Sequence, residues 1–374
     1  MRKLLILWCV VLFSVHAFAI ESLTVAQFEQ GLSKVHGRLD KRTEKYISGV
    51  QLTERLRSSE FNRLNRGLKG ERSRTALRAI ADASAFLDLP PSEMLTDPAP
   101  DLKQQGEILI QAGEFAGKAS KRMPNFLAHR VTTRFLDGVT YPYSSQIHYF
   151  TPGVFHLYDS RTVGVRYING REEVAESHDQ LKHEGDITQS PPGLTTWGAF
   201  GPLLDTVMAD ILQSKVGWDH WERSGSDRIA VFRFLVPKEK SHYMVEYCCT
   251  IAPKGGMTEF QATPTYHGKI AINPVNEHVV RIVLICDLAP GQAISRADVE
   301  LEYGPVEIAG QTYVLPVRGV SASGVPFSHP KQNSGGQYDV FSLTSINDLQ
   351  FTDYRVFRTE MKILPMSNLD GPTN

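Results

Sequence analysis

The sequence predicts an α+β protein in which a helical N-terminal region precedes a large antiparallel sheet. Three observations carry this. Apolar residues recur at helical spacing up to about residue 122. From Asn125 onward, strand-length segments rich in Val, Ile, Tyr and Phe follow one another across tight turns. One apolar helix, Pro202 to Leu212, interrupts them. Strand and helix do not alternate as a parallel sheet would require.

In the N-terminal part, Thr24 to Gln27 forms a capping box that opens an amphipathic helix. Val25, Phe28, Leu32 and Val35 make its apolar stripe, and Gly37 ends it. Helical patterns follow over Asp40–Ile47, Thr53–Leu68 and Glu71–Leu87. A Pro-rich loop at residues 90–100 leads into a helix over Leu102–Arg122, which Pro124 stops. Between Arg38 and Arg78 stand twelve Lys or Arg and five Asp or Glu. Their scatter predicts a solvated helix face and not a cluster for anionic surfaces.

In the second part, Val154–Ile168 reads as a strand and Asn169-Gly170 as a type I′ hairpin turn. Glu173–Pro192 is polar and reads as a loop. Leu203, Leu204, Val207, Met208, Ile211 and Leu212 line one side of the helix over Pro202–Leu212. Strand patterns then run near 216–223, 228–236, 243–250, 263–272, 279–287, 298–308, 311–320 and 349–363, an antiparallel meander.

The extreme N-terminus predicts export. Arg2 and Lys3 form a basic n-region, Leu4 to Phe13 an apolar run, and Ala17-Phe18-Ala19 a small-x-small cleavage pattern. The run is too short to span a bilayer, which takes about 20 apolar residues. The expected organisation is a signal peptide over 1–19, a helical region over 20–124, a β domain over 125–363 and a tail over 364–374. The expected location is the periplasm or the extracellular space. A net charge of −1 creates no global field for nucleic acid.

After cleavage three cysteines remain. Cys248 and Cys249 are adjacent on a strand pattern and point to opposite faces, so only one can meet Cys286. A disulfide such as Cys249–Cys286 is one outcome in an oxidising compartment; three small buried side chains is the other.

No catalytic motif is present: no G-x-S-x-G, H-E-x-x-H, P-loop or G-x-G-x-x-G. His178 and His183 lie five apart in the polar loop, a spacing that suits neither helix nor strand, so no metal is expected. His220 and Glu222 share a strand face and read as a surface pair. Glu300 and Glu302 read as the solvent face of an alternating strand. The expectation is a non-enzyme with neither cofactor nor metal.

Four segments carry a resemblance: Gly217-Trp218-Asp219-His220-Trp221-Glu222, Tyr266 to Ile272, Val299 to Val306, and Phe351 to Arg355. They are similar to an uncharacterised family of exported bacterial proteins. Over residues 125–363 the pattern of meander and helix also resembles the half-barrel family of periplasmic lipoprotein carriers and related sensors. That resemblance implies a curved sheet with a hydrophobic concave face and the Pro202–Leu212 helix as a lid. A lipid or an acylated protein would then lie against Trp197, Phe200, Leu204, Met208, Trp218, Trp221 and Phe232. The alternative is an interaction or sensor module that docks an envelope partner through its helical region.

Overall fold

The computed structural model describes residues 20–35, 37, 39–137, 153–175, 193–194, 202–251, 257–330 and 338–356. The α+β expectation holds: among these residues an open eleven-stranded antiparallel sheet lies between two layers.

Ten strands of the large sheet are β4 (Phe126–Leu136), β5 (His156–Ile168), β6 (Arg171–Ala175), β8 (Lys215–Ser224), β9 (Asp227–Val236), β12 (Thr265–Asn273), β13 (His278–Asp287), β14 (Arg296–Ile308), β15 (Gln311–Pro330) and β16 (Tyr338–Val356). The short β3 (Met94–Leu95) is the eleventh. Their order is β3-β8-β9-β12-β13-β14-β15-β16-β4-β5-β6. Most neighbours are hairpins, as the tight turns predict. The β5–β6 turn uses Asn169 and Gly170 at φ 51° and 81°, the double positive φ of a type I′ turn. The join between β16 and β4 is not a hairpin: Val356 pairs with Phe126 across most of the chain. The sheet does not close into a barrel.

One layer is N-terminal. Here β1 (Glu21–Leu23) and β2 (Val50–Leu52) pair in parallel, and α1 (Val25–Val35), α2 (Asp40–Ser48), α3 (Ser58–Gly67) and α4 (Glu71–Ala83) surround their own core. Phe28, Leu32, Ile47, Leu52, Leu77 and Ile80 fill it. The Thr24 capping box forms as expected: Gln27 N–H donates to Thr24 Oγ1 at 3.2 Å, and Thr24 N–H donates to Gln27 Oε1 at 2.9 Å. Gly37 stands at φ +82°, the left-handed conformation that ends a helix. The helix expected over Thr53–Leu68 begins at Ser58, because Val50–Leu52 is taken up by pairing with β1. Ala79 and Ala85, from α4 and the turn after it, seat this layer on Phe135, Val320, Ala322 and Ile346 of the sheet.

The opposite layer holds α5 (Leu102–Arg122), α6 (Pro202–Leu212) and a small sheet of β7 (Gly193–Leu194), β10 (Val245–Ile251) and β11 (Met257–Ala262). It packs on Phe126, Tyr167, Phe232, Tyr266, Ile270 and Leu284 to form the main core. The N-terminal helices therefore divide: α1 to α4 cover one face of the sheet, while α5 joins α6 on the other. A buried polar anchor ties α6 down. Asp210 accepts from Tyr266 Oη at 2.8 Å and from His242 N–H at 2.8 Å, and meets His242 Nδ1 at 2.6 Å.

Candidate functional site

Among the described residues, those expected to line a ligand cavity under α6 belong to the core or pack against it. Met208, Trp221 and Phe232 are buried, while Leu204 and Trp218 pack against the same cluster half-buried. Trp218 lies 4.8 Å from the Trp221 ring and 5.5 Å from Phe232, both edge-on. Trp221 Nε1 donates to the Pro98 carbonyl at 3.0 Å. The gap at Leu204, between α5, α6 and the sheet, is only ≈ 30 Å³. Trp197, Phe200 and the His178/His183 loop lie outside the described residues.

The Cys249–Cys286 bridge is not formed. Cys286 is a free thiol buried against the α6 side of the sheet, where burial pushes its pKa up. Cys248 is the disulfide-bonded cysteine. Among the described residues no cluster of metal-ligating side chains appears, and no helix is long and apolar enough to cross a membrane.

The larger cavities lie on the other face, between the N-terminal layer and the sheet. Strand pairing explains the charge there. The register sets Arg281 opposite Glu302, Glu302 opposite Arg318, and Val320 opposite Asp348, so the charges of β13 to β16 share one face. On β8 a register shift after Trp218 turns His220 and Glu222 to that face. The N-terminal layer answers with Arg55, Ser58, Arg78, Asp82 and Asp88.

Glu222 is the hub. Arg281 grips it with two hydrogen bonds of 2.8 and 2.9 Å, Arg55 reaches it at 3.3 Å, and His220 Nε2 lies 3.2 Å away. Burial alone would raise its pKa. Arg281, His220 and Arg55 outweigh that and hold the carboxyl well below its usual range. Burial, with Arg281 as a like charge nearby, brings Arg55 down to about 10. A second cluster surrounds Arg318, which bonds Asp82 of α4 and meets Asp348 at 3.2 Å. Arg78 meets Asp348 at 2.6 Å. Glu300, 1% exposed, is pushed up to about 7 by burial and then by its neighbour Glu302.

Three expectations change here. Glu300 is not on a solvent face, because α3 and α4 roof the strand. His220–Glu222 is not a surface pair, since Glu222 is buried. The basic segment is not wholly solvated either: Arg55 is 7% exposed and spans the two layers. The local sequence of an alternating strand is the same whether water or a roof lies above it.

Arg55, Glu222 and Arg281 separate two cavities. The first, ≈ 550 Å³, has apolar walls from Phe86, Leu89, Val216, Val283 and Ile285, with exposed Leu87 and Leu235 among its lining. Lys215, Arg233 and Lys269 add positive charge. Lys269 is shared by Asp88 and Asp219 at 2.6 Å each, whereas Lys215 has no carboxylate partner among the described residues. Gly268 forms part of the floor, where a Cβ would stand 1.8 Å from the Val283 carbonyl oxygen. The second cavity, ≈ 670 Å³, is polar and reaches Ser58, Ser59, Asn276, Glu300, Glu302 and Arg318. Cys286 faces the opposite layer from His220 and Glu222.

Comparison with protein-family models, with curated proteins and with solved structures finds no match to this chain.

Proposed function

We propose that this chain is an exported binding protein for an amphipathic anion, a lipid or the acyl group of an acylated protein. It would hold this ligand in the ≈ 550 Å³ cavity between its N-terminal layer and the sheet. The observation that carries the reading is the pairing of aliphatic walls with Lys215, a cation lacking a carboxylate partner among the described residues. A cavity of this volume is in the range of small-molecule sites. Each methylene buried there contributes about 0.8 kcal/mol, and the ammonium of Lys215 fits a carboxylate or phosphate head. The binding face thus moves from the α6 side to the α4 side, because α6 is packed and the space beneath the N-terminal layer is not.

The test is native mass spectrometry of residues 20–374 purified from an exporting host, with organic extraction. Co-purified or added acyl lipid that binds the wild type, and binds at least tenfold more weakly to Lys215→Glu and Leu235→Asp, is the expected result. A clean apo mass with no uptake of added fatty acid or lysophospholipid overturns it and shifts attention to a docked partner protein.

A further inference from the structure

We propose that the second cavity is a separate site for a neutral, polyhydroxylated ligand, a saccharide unit. One buried polar atom on its Glu300 wall, Glu300 Oε2, has no hydrogen-bond partner among the described residues, the Arg318 guanidinium standing off at 3.9 Å. Glu300 is 1% exposed. Buried polar atoms are nearly always paired, and an orphan at a cavity wall marks a place for a ligand atom. With the hydroxyls of Ser58 and Ser59 in the same lining, this atom asks for a ligand with more than one hydrogen-bonding group.

The charges decide which ligand. Four of the five arginines lining this cavity already have a carboxylate partner. Arg55 and Arg281 meet Glu222, and Arg57 meets Glu93 at 3.3 Å. Arg223 has only its backbone carbonyl taken, by Arg57, and lies at the exposed mouth. Arg318 is held by Asp82 and Asp348. Against these stand Glu222, Asp227, Glu300 and Glu302 in the same wall. Positive and negative groups are interleaved, so an ionic ligand would meet repulsion as often as attraction. Hydroxyls fit instead, since each both donates and accepts. Ser58 and Ser59 contribute hydroxyls, with Ser58 Oγ donating to Glu302 at 2.8 Å. Ile229, Val279, Val314 and Val317 supply an aliphatic wall suited to the C–H face of a sugar ring. Glu300, held near neutrality, presents a carboxyl able to donate as well as accept. This site does not depend on the anion site across Arg55.

The experiment is isothermal titration of residues 20–374 with maltotriose and with the trimer of N-acetylglucosamine, using two variants. Glu300→Ala removes the orphaned group. Ser59→Trp, at an exposed position in the first turn of α3, obstructs the cavity without touching the buried ion pairs. Saturable binding of either sugar by the wild type, weakened at least tenfold by Ser59→Trp, supports the proposal. The same loss in a folded Glu300→Ala protein supports it further. No saturable binding of either sugar by the wild type overturns it, as does equal affinity in wild type and Ser59→Trp.

Discussion

Replacing Glu222 with Gln tests whether the two layers are joined by charge or only by shape. The change keeps the volume and removes the negative charge that Arg281 and Arg55 share. Arg281 is largely buried, its side chain 12% exposed, and it loses two charge-assisted hydrogen bonds, each contributing about 1.5–3 kcal/mol. The new amide also points an N–H at a guanidinium. Breaking a buried pair from one side costs about 3–5 kcal/mol. For a domain of this size, unfolding entropy near 60 °C is about 0.7 kcal/mol per kelvin, so Tm should fall by about 4–7 °C. Differential scanning calorimetry at pH 7 measures this. A double change, Glu222→Leu with Arg281→Met, should recover only part of the loss, because it removes the Arg281 charge but leaves Arg55 without its carboxylate. Because the folded Glu222 pKa lies below its ordinary value, its contribution is full at neutral pH and is lost as pH falls into the acid range. A Glu222→Gln protein that melts within 1 °C of wild type would refute the view of Glu222 as the hub.

Glu300 should give the opposite pH dependence. Its folded pKa of about 7 exceeds its ordinary value of 4.5, so the folded state holds the proton longer, and stability falls as pH rises from about 4.5 to about 7. Urea titrations of wild type and Glu300→Gln at pH 5 and pH 8 should differ in this sense by about 3 kcal/mol; parallel curves would contradict it. Asp210→Ala strands Tyr266 Oη in the core and should cost about 2–3 kcal/mol by urea denaturation. Gly268→Ala forces a Cβ against the Val283 carbonyl and should cost more than the roughly 1 kcal/mol typical of a point change. Iodoacetamide should label Cys286 only after unfolding, read by peptide mapping.

What the sequence made legible was local. Pro202–Leu212 and Leu102–Arg122 have the expected bounds, since Pro, capping residues and apolar spacing act within a few positions. The Asn169-Gly170 turn is equally local. Face assignments were not. Val299 and Leu301 enter the main core while Glu300 between them lies under the N-terminal layer, so both sides of β14 are buried. Nothing in Val-Glu-Leu-Glu says whether the glutamates see water. Arg55 was hidden for the same reason: it stands among scattered basic residues, and only its partner on a strand 167 positions away sets it apart. Likewise Trp218 and Trp221 carry no mark to tell a ligand wall from ordinary packing.

The pairing of β16 with β4 has a consequence for how the chain reaches its fold. The strands before β4 in the sheet order and those after β16 are each built from hairpins that can form early, but the two arms meet only through the last described strand. Such long-range closure is slow, because loop entropy must be lost before the contact forms. Until it forms, β4 and β16 each present a long open edge, the kind of surface on which chains stick to one another. The late arrival of residues 338–356 is therefore the interval in which this protein is most exposed to misassembly. Any factor that shields those two edges during that interval would raise its yield without touching the finished structure.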